Sequence, residues 1–310
     1  MNNIKLSVVI PTYNRGEKIE TVLKSLQEQS FRDFEVIVIN DGSTDNTASV
    51  LDKLQQQKWS FLLRIVHQEN KGRSGVRNSG FVLALADIIV SIDDDMRLDS
   101  KCLEEHYLHH QQYPGSIMVG VQQEDPVLAK TDIQRFLAHQ RIGWLEGLNK
   151  AERPMLPNQI YITAANFSLS QETFNKIGGF DSRLRAVVDY DLAMRATELG
   201  IPIYYNKHAI GWHDDFITCH SFIRRRKQGV ENEKLLMQLK PDLVKNYHRY
   251  KETPPSRIKL FLYSILANRF FVNSIDNSNL FVYLLPKKIR YKFYAAVIMA
   301  LGKYYPERVK

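Results

Sequence analysis

Apolar runs of strand length alternate with helix-like segments over about the first 125 residues of the chain. The strand-like runs cover residues 6–10, 34–40, 62–68, 87–93 and 116–121. Helix-like stretches lie near residues 45–57, 74–85 and 100–112, and Ile19, Val22, Leu23 and Leu26 repeat at helical spacing. Such alternation predicts an α/β protein with a mostly parallel sheet and helices on both faces.

Polar clusters follow three of these strand-like runs. They read PTYNR (11–15), NDGSTDN (40–46) and IDDDM (92–96). Right-handed crossovers place the carboxyl ends of parallel strands along one edge of the sheet, where open α/β sheets bind ligands. We therefore expect three segments that are far apart in sequence to meet in one crevice.

Three consecutive aspartates, Asp93, Asp94 and Asp95, stand where a buried strand ends. Each close pair of carboxylates costs about 4 kcal/mol at an effective dielectric constant near 20. On a strand, Asp93 and Asp95 would share one face and Asp94 would point to the other. A divalent cation is the simplest group that offsets this repulsion. The alternative is a solvated acidic turn that caps the next helix.

The composition is that of a globular protein, with 310 residues, 44% hydrophobic and 25% charged. Its two cysteines, Cys102 and Cys219, form no CxxC pair and offer no disulfide framework, which is typical of a reducing compartment. The first 15 residues form a core strand and turn rather than an export signal. The longest apolar run, 295–301, is too short to span a bilayer. These features predict a cytoplasmic location.

The C-terminal part carries most of the positive charge. Residues 221–310 contain 19 basic and 6 acidic side chains, a net of +13, whereas residues 1–220 contain 23 and 28, a net of −5. Interleaved aromatic and aliphatic residues predict basic amphipathic helices over 216–310. We expect them to bind an anionic membrane surface peripherally on its cytoplasmic face, at about 1 kcal/mol per basic residue near the lipid. Solvated packing helices are the alternative, and no nucleic-acid module accompanies the basic segments.

Six motifs stand in a characteristic order: VVIPTYNR, VIVINDGSTDNT, ENKGRSGVRNSG, the aspartate triplet, IGGFD and DYDLAMR. Over roughly residues 5–213 the chain resembles family 2 of the nucleotide-sugar glycosyltransferases. The resemblance implies a GT-A glycosyltransferase domain over 1–215, with a nucleotide-binding part (1–121) and an acceptor-side part (122–215), followed by a helical region (216–310). It also implies metal-dependent, inverting sugar transfer from a nucleotide sugar, with UDP favoured, to a hydroxyl of a saccharide or lipid-linked acceptor in polysaccharide or glycolipid biosynthesis.

The resemblance also implies how the metal is held. Asp95 would bind Mn²⁺ or Mg²⁺ that bridges the donor diphosphate, and Asp93 would lie near the ribose or the metal. Asp94 belongs to the same nucleotide-binding element. His213, in GWHDD, would be a further metal ligand or a phosphate contact. A structural ion pair with the two aspartates that follow it is an equally open interpretation.

The nucleotide side is implied in the same way. Asp41 would accept a hydrogen bond from a uracil ring nitrogen, although an Asx-turn within DGST is also compatible with an aspartate there. Pro11, Thr12 and Tyr13 would contact the base. Arg77 would lie near the nucleotide or diphosphate, and its alternative role is a surface charge on a helix.

In VVDYDLAMR, Asp189 occupies the place of the family's general base, and Val188 replaces the usual glutamate. A helix N-cap is the alternative role of Asp189. Asp191 and Trp144 are candidates for contact with the acceptor, Trp144 by stacking on a sugar ring. Val188 supports one alternative function, a catalytically degenerate nucleotide-sugar-binding protein associated with membranes.

Overall fold

The computed structural model describes residues 4–215, 217–247 and 255–308. The chain forms two compact units, the first from residues 1–123 and 145–214 and the second from residues 124–144 and 215–310. The sequence-based division kept 122–215 together as an acceptor-side part. The structure instead groups 124–144 with the C-terminal helices.

The first unit is built on an eight-stranded sheet with the order β3-β2-β1-β4-β7-β6-β8-β5. The strands are β1 (Leu6–Thr12), β2 (Phe34–Asp41), β3 (Leu62–Gln68), β4 (Ile88–Ile92), β5 (Met96–Leu98), β6 (Ile117–Gln123), β7 (Asn166–Ser170) and β8 (Ile203–His213). Four neighbouring pairs are parallel and three are antiparallel. The predicted α/β class with a mostly parallel sheet is confirmed.

Helices connect the strands of this unit. They are α1 (Gly16–Gln27), α2 (Thr47–Gln55), α3 (Gly72–Val82), α4 (Cys102–Gln112), α6 (Gln171–Ile177) and α7 (Val188–Glu198). Helix α5 (Asp132–Asn149) runs across the division at residues 144 and 145. The apolar stripe predicted for α1 is buried, as are both faces of β2 and β4, because helices cover a parallel sheet on two sides.

Strand β7 enters the sheet antiparallel to both of its neighbours, β4 and β6. Its first residue, Asn166, is fully buried and donates two hydrogen bonds of 2.9 Å, to the carbonyls of Val121 and Ala209. Gly120 leaves room for this amide, since a Cβ there would lie 2.4 Å from Asn166 Nδ2. One side chain thus joins three strands.

Strand β5 has only three residues and pairs antiparallel with the end of β8. In this register Met96 stands opposite His213. The chain that leaves the aspartate triplet therefore returns at once to the end of β8, and this pairing brings a histidine to the triplet.

Three histidines of α4 are buried against the sheet. His106 hydrogen-bonds Ser168 Oγ through Nδ1 at 2.7 Å and Asn166 Oδ1 through Nε2 at 2.8 Å. His110 Nε2 lies 2.8 Å from the same serine oxygen. Burial lowers the pKa of His106 and His109 to about 4 and that of His110 to about 3. All three are therefore neutral in the folded protein at pH 7.

We expect the free energy of unfolding to fall as the pH is lowered from about 6.5 towards 4. In this window the unfolded chain binds protons at these histidines, whose ordinary pKa is 6.5, while the folded protein does not. One unit of pKa difference corresponds to about 1.4 kcal/mol. Urea unfolding across this range measures the slope, and His110→Asn should reduce it. A flat profile in wild type would contradict the assignment.

The second unit is helical. It contains residues 132–144 of α5 together with α8 (Cys219–Leu239), α9 (Pro241–Val244), α10 (Arg257–Leu266), α11 (Arg269–Asn277), α12 (Leu280–Leu284), α13 (Lys287–Met299), a π-helical turn (Ala300–Tyr304) and a 3-10 turn (Pro306–Arg308). Among the helices in the described ranges, none has both the length and the apolarity needed to cross a bilayer.

Contacts along α5 explain why residues 124–144 belong to this unit. Ile133, Phe136 and Leu137 lie in one buried apolar cluster with residues of α8, α10, α11 and α13. Asp132 accepts hydrogen bonds from Arg290 Nε at 2.6 Å and from Tyr294 Oη at 3.0 Å, and all three side chains are buried. An ion pair removed from water needs such additional hydrogen bonds.

Candidate active site

The carboxyl ends of β2, β1 and β4 lie side by side because these strands are parallel neighbours. Asp41 ends β2, Thr12 ends β1 opposite Asn40, and the aspartate triplet follows β4. The structure thus brings together three of the segments that the sequence placed at one edge of the sheet.

The aspartate triplet is a turn and not the end of a strand. Strand β4 stops at Ile92, and the amide of Met96 donates a 3.2 Å hydrogen bond to the carbonyl of Asp93. The expected alternation, with Asp93 and Asp95 on one face and Asp94 on the other, therefore does not apply. Asp94 and Asp95 are both buried, and only Asp93 is partly exposed.

Each carboxylate of the triplet has different partners. Arg77 forms a close ion pair with Asp93. Asp95 Oδ2 lies 3.4 Å from His213 Nε2 and 3.9 Å from a guanidinium nitrogen of Arg15. Burial, reinforced by the charge of Asp95, raises the pKa of Asp94 to about 7. The triplet therefore holds less negative charge at neutral pH than its sequence indicates.

His213 reaches the triplet through the β5–β8 pairing. Its side chain is buried, and the amide of the next residue, Asp214, donates a 2.9 Å hydrogen bond to the carbonyl of Asp95. Arg97 of β5 holds the Asp214 carboxylate, with Nε 2.7 Å from Oδ2. Asp214 therefore forms its ion pair with Arg97. The imidazole of His213 lies close to Asp95.

Asp41 binds the loop after β3. Its Oδ1 accepts hydrogen bonds from Gln68 Nε2 at 2.7 Å and the amide of Lys71 at 2.8 Å, and its Oδ2 accepts one from the amide of Gly72 at 2.9 Å. The alternative role in an Asx-turn is wrong, because Asn40 Oδ1 accepts the amide of Ser43 instead. Both carboxylate oxygens already bind protein groups, and Oδ2 retains acceptor capacity for a further donor.

The segment after β1 presents an aromatic ring. Tyr13 is half-exposed, Pro11 is partly buried, and Asn14 adopts a left-handed conformation with φ of 54°. Asn14 Oδ1 accepts the amide of Thr44 at 2.8 Å. This hydrogen bond joins the loops after β1 and β2. The neighbouring Tyr13 remains accessible to solvent.

Arg77 is buried on α3, so its alternative interpretation as a surface charge is wrong. Besides the ion pair with Asp93, it donates a 3.0 Å hydrogen bond to the carbonyl of Arg73. The guanidinium of Arg77 therefore balances the charge of Asp93, the first aspartate of the triplet.

Asp189 lies in the first turn of α7. The N-cap position belongs to Val187, whose φ is 56° and which makes no side-chain capping bond, so the N-cap role considered for Asp189 is wrong. Asp189 is partly buried, and its Oδ1 accepts the amide of Tyr190 at 2.9 Å. The preceding loop is tied to α3, since Asn78 both donates to and accepts from the backbone of Phe180. A helix N-terminus favours the ionised form of such a carboxylate.

The two candidates for acceptor contact differ. Asp191 has no exposed surface and pairs with Arg195, which also donates to the carbonyls of Ile177 and Gly179. The structure therefore does not place Asp191 at an acceptor surface, because its carboxylate braces α7 against the preceding loop. Trp144 belongs to the second unit, where it is partly exposed beneath the guanidinium of Arg141.

The sequence reasoning did not single out Arg15 or the backbone of Lys71 and Gly72. Arg15 stands in the quoted PTYNR cluster, and its position after β1 was the available signal. The two amides carry no sequence signal, because any residue supplies an N–H group.

Comparison with known proteins agrees with this geometry. The sequence profile described as "Glycosyl transferase family 2" matches residues 7–178, more than half of the chain. The chain belongs to glycosyl transferase family 2. The enzyme family predicted from the motifs is therefore confirmed, and Thr12, Asp41 and the aspartate triplet all lie within the matched residues.

Several curated family members are similar over different lengths. The chain is 27% identical over 311 residues to the amylovoran biosynthesis glycosyltransferase AmsB of Erwinia amylovora, across 94% of this chain and 98% of AmsB. It is 30% identical to the glycosyltransferase GlyG of Streptococcus pneumoniae, across 37% of this chain and only 38% of GlyG. A Campylobacter jejuni enzyme named GalNAc(5)-diNAcBac-PP-undecaprenol beta-1,3-glucosyltransferase is 37% identical across 32% of each chain.

Solved structures support the fold. The mannosyltransferase PcManGT from Pyrobaculum calidifontis, in complex with GDP-Man and Mn²⁺, superposes with a TM-score of 0.62 and 18% identity, covering 96% of this chain and 86% of that one. S. aureus TarS 1–349 in complex with UDP-GlcNAc gives a TM-score of 0.51 at 15% identity, covering 98% and 92%. The predicted GT-A glycosyltransferase fold is confirmed.

The residues around the triplet fit a divalent cation. Asp95 and His213 offer a carboxylate oxygen and an imidazole nitrogen 3.4 Å apart, both on buried side chains. Manganese accepts both kinds of ligand, whereas magnesium prefers oxygen. Asp93 is less suited than predicted, because Arg77 already holds it.

Proposed function

We propose that this protein is a metal-dependent, inverting glycosyltransferase that moves a sugar from a UDP-sugar to a hydroxyl of a saccharide or lipid-linked acceptor. The observation that carries the proposal is the pairing of Asp95 with His213 at the sheet edge that also holds Thr12 and Asp41. A nucleoside diphosphate requires a cation site for its diphosphate and, next to it, a site for its nucleobase.

The nucleotide would lie against the loops after β1 and β2. Asp41 Oδ2 has acceptor capacity for the N–H of a uracil ring, and the exposed ring of Tyr13 offers a stacking surface. The named complex of TarS with UDP-GlcNAc supports UDP, whereas that of PcManGT contains GDP-Man. We favour UDP because the motifs resemble those of the family's UDP-sugar enzymes, and the Asp41 carboxylate can accept the ring N–H of uracil.

Asp95 and His213 would hold Mn²⁺ or Mg²⁺. When bound, the ion stabilises negative charge on the departing diphosphate. Arg77 keeps Asp93 in place, and Arg15 adds positive charge beside Asp95. The protein groups thus orient the leaving group and compensate the charge that collects on it.

Asp189 would act as the general base. Its place in the first turn of α7 suits a negatively charged carboxylate, which would take the proton of the acceptor hydroxyl as that oxygen attacks the anomeric carbon. Attack from the face opposite the leaving group inverts the anomeric configuration. Val188, which stands where the family usually has a glutamate, is buried in the first turn of α7.

The acceptor would be a growing glycan. AmsB carries amylovoran biosynthesis in its name, and the C. jejuni enzyme is named for an undecaprenol-linked substrate. Both support polysaccharide or glycolipid synthesis. We place this protein in the cytoplasm, peripherally attached to the cytoplasmic face of an anionic membrane through residues 216–310, and Trp144 remains a candidate for sugar stacking.

Titration calorimetry of UDP into the full chain tests this proposal. We expect UDP to bind in the presence of Mn²⁺ and much more weakly in EDTA, with GDP and dTDP binding more weakly than UDP. Tighter binding of GDP than of UDP would identify GDP as the nucleotide of the donor. Tight, metal-dependent UDP binding without hydrolysis or transfer of any UDP-sugar would favour a degenerate binding protein, and no binding of any nucleotide would contradict the proposal.

A further inference from the structure

The apolar stripe of α10 faces outwards. Ile258, Phe261, Leu262 and Ile265 follow the i, i+3, i+4, i+7 pattern that marks one face of a helix. This pattern ordinarily identifies the buried face. Here the four side chains are 75%, 65%, 52% and 53% exposed. Four neighbouring large apolar side chains on one exposed helix face indicate an interaction surface.

The inner side of α10 is held by other contacts. Tyr263 is buried and stacks on Tyr304, with ring centroids 4.9 Å apart. The backbone carbonyl of Leu260 accepts Tyr305 Oη at 3.1 Å, and that of Ser264 accepts Arg308 at 2.7 Å. These bonds fix the helix with its apolar stripe outwards, so the exposure follows from specific packing.

The same part of the second unit presents further apolar and basic side chains. On α12, Tyr283 and Leu284 are 83% and 63% exposed. Exposed basic side chains lie on α10, α11 and α13: Arg257, Lys259, Arg269, Lys287, Lys288 and Lys292. The only acidic residue from 253 to 306 is Asp276. It accepts the amides of Cys219 and His220 at the start of α8, so its charge is already engaged.

We propose that α10 is an interfacial helix that inserts Ile258, Phe261, Leu262 and Ile265 into an anionic phospholipid bilayer, while the neighbouring lysines and arginines contact lipid phosphates. Apolar side chains flanked by basic ones match the acyl and headgroup layers of such a surface. A second copy of this chain is a poorer occupant, because it would bring two basic surfaces together. The inference rests on the membrane partner of the proposed function and assigns it to one helix.

Vesicle co-sedimentation with the full chain tests this assignment. The vesicles contain phosphatidylcholine, either alone or with about one-third phosphatidylglycerol. The test variant is Phe261→Ser with Ile265→Ser, both at exposed positions. The matched control is Val82→Ser with Leu85→Ser, whose side chains are 73% and 61% exposed and lie in the first unit. The oligomeric state of each protein without lipid is measured alongside, together with UDP binding.

We expect wild type and control to bind the anionic vesicles, and the α10 variant to bind at least about tenfold more weakly, since two large apolar groups no longer enter the lipid. Binding should also weaken with salt. Unchanged binding by the α10 variant, equal binding to neutral vesicles, or no binding by wild type would overturn the proposal. Self-association of wild type that the α10 variant loses would assign the face to a second copy. If wild type bound anionic vesicles but did not bind UDP, the proposed function would be rejected and this inference would stand.

Discussion

Replacing Asp95 with asparagine is expected to abolish both metal-dependent UDP binding and sugar transfer. Asp95 is the buried carboxylate that lies 3.4 Å from His213, and asparagine keeps its shape while removing its charge. A neutral amide is a poor ligand for Mn²⁺ or Mg²⁺ beside a cationic arginine. Calorimetry and a UDP-release assay measure the two losses.

The folded state of Asp95→Asn should be close in stability to wild type, because the change relieves repulsion with Asp94 and also removes the charge that faces His213 and Arg15. Thermal unfolding therefore separates loss of function from loss of fold. Asp33→Asn, an exposed aspartate in the turn before β2, is the matched control and should retain binding and transfer. Full activity of Asp95→Asn would exclude Asp95 as a metal ligand.

Replacing Asp189 with asparagine is expected to lower the transfer rate by about 10²–10⁴-fold, the usual contribution of a general base. Asparagine cannot take a proton from the acceptor hydroxyl. UDP binding should stay within twofold to threefold of wild type, because Asp189 is assigned to the acceptor and not to the nucleotide. A steady-state transfer assay and calorimetry together distinguish this pattern from that of Asp95→Asn.

The matched control for Asp189 is Glu198→Gln at the other end of α7, where the side chain is exposed. It makes the same chemical change on the same helix and should leave transfer unchanged. If Asp189→Asn lost UDP binding together with transfer, the residue would belong to the donor site. Transfer at the wild-type rate would require another base.

The sequence was sufficient to predict the sheet edge on which the site is built. Each strand that ends in a polar cluster is mostly apolar, and parallel neighbours present their carboxyl ends at the same sheet edge. The sequence alone therefore groups Thr12, Asp41 and the triplet. Their detailed contacts could not be predicted in this way. Strand β4 ends at Ile92, and residues 93–95 form a turn, so their side chains do not alternate between two faces as on a strand.

The roles of single polar residues were harder to predict. Asp189 and Asp191 have the same sequence signal. Asp191 is nevertheless buried and paired with Arg195, which also donates to backbone carbonyls, whereas Asp189 is partly accessible. His213 reaches the triplet only through β5, whose three residues are too few to show a period. Such assignments depend on long-range pairing, which local patterns do not encode.

The second unit is made from two stretches of chain, and this has a consequence for synthesis on the ribosome. Asp132 is translated 158 residues before its partner Arg290. At 5–20 residues per second, roughly 8 to 30 s separate the two. During this interval the apolar cluster that buries Ile133, Phe136 and Leu137 is incomplete, because it extends to Leu301. A stop codon soon after residue 215 would therefore leave α5 without the apolar partners that it has in the second unit, the kind of exposed segment that chaperones and proteases select.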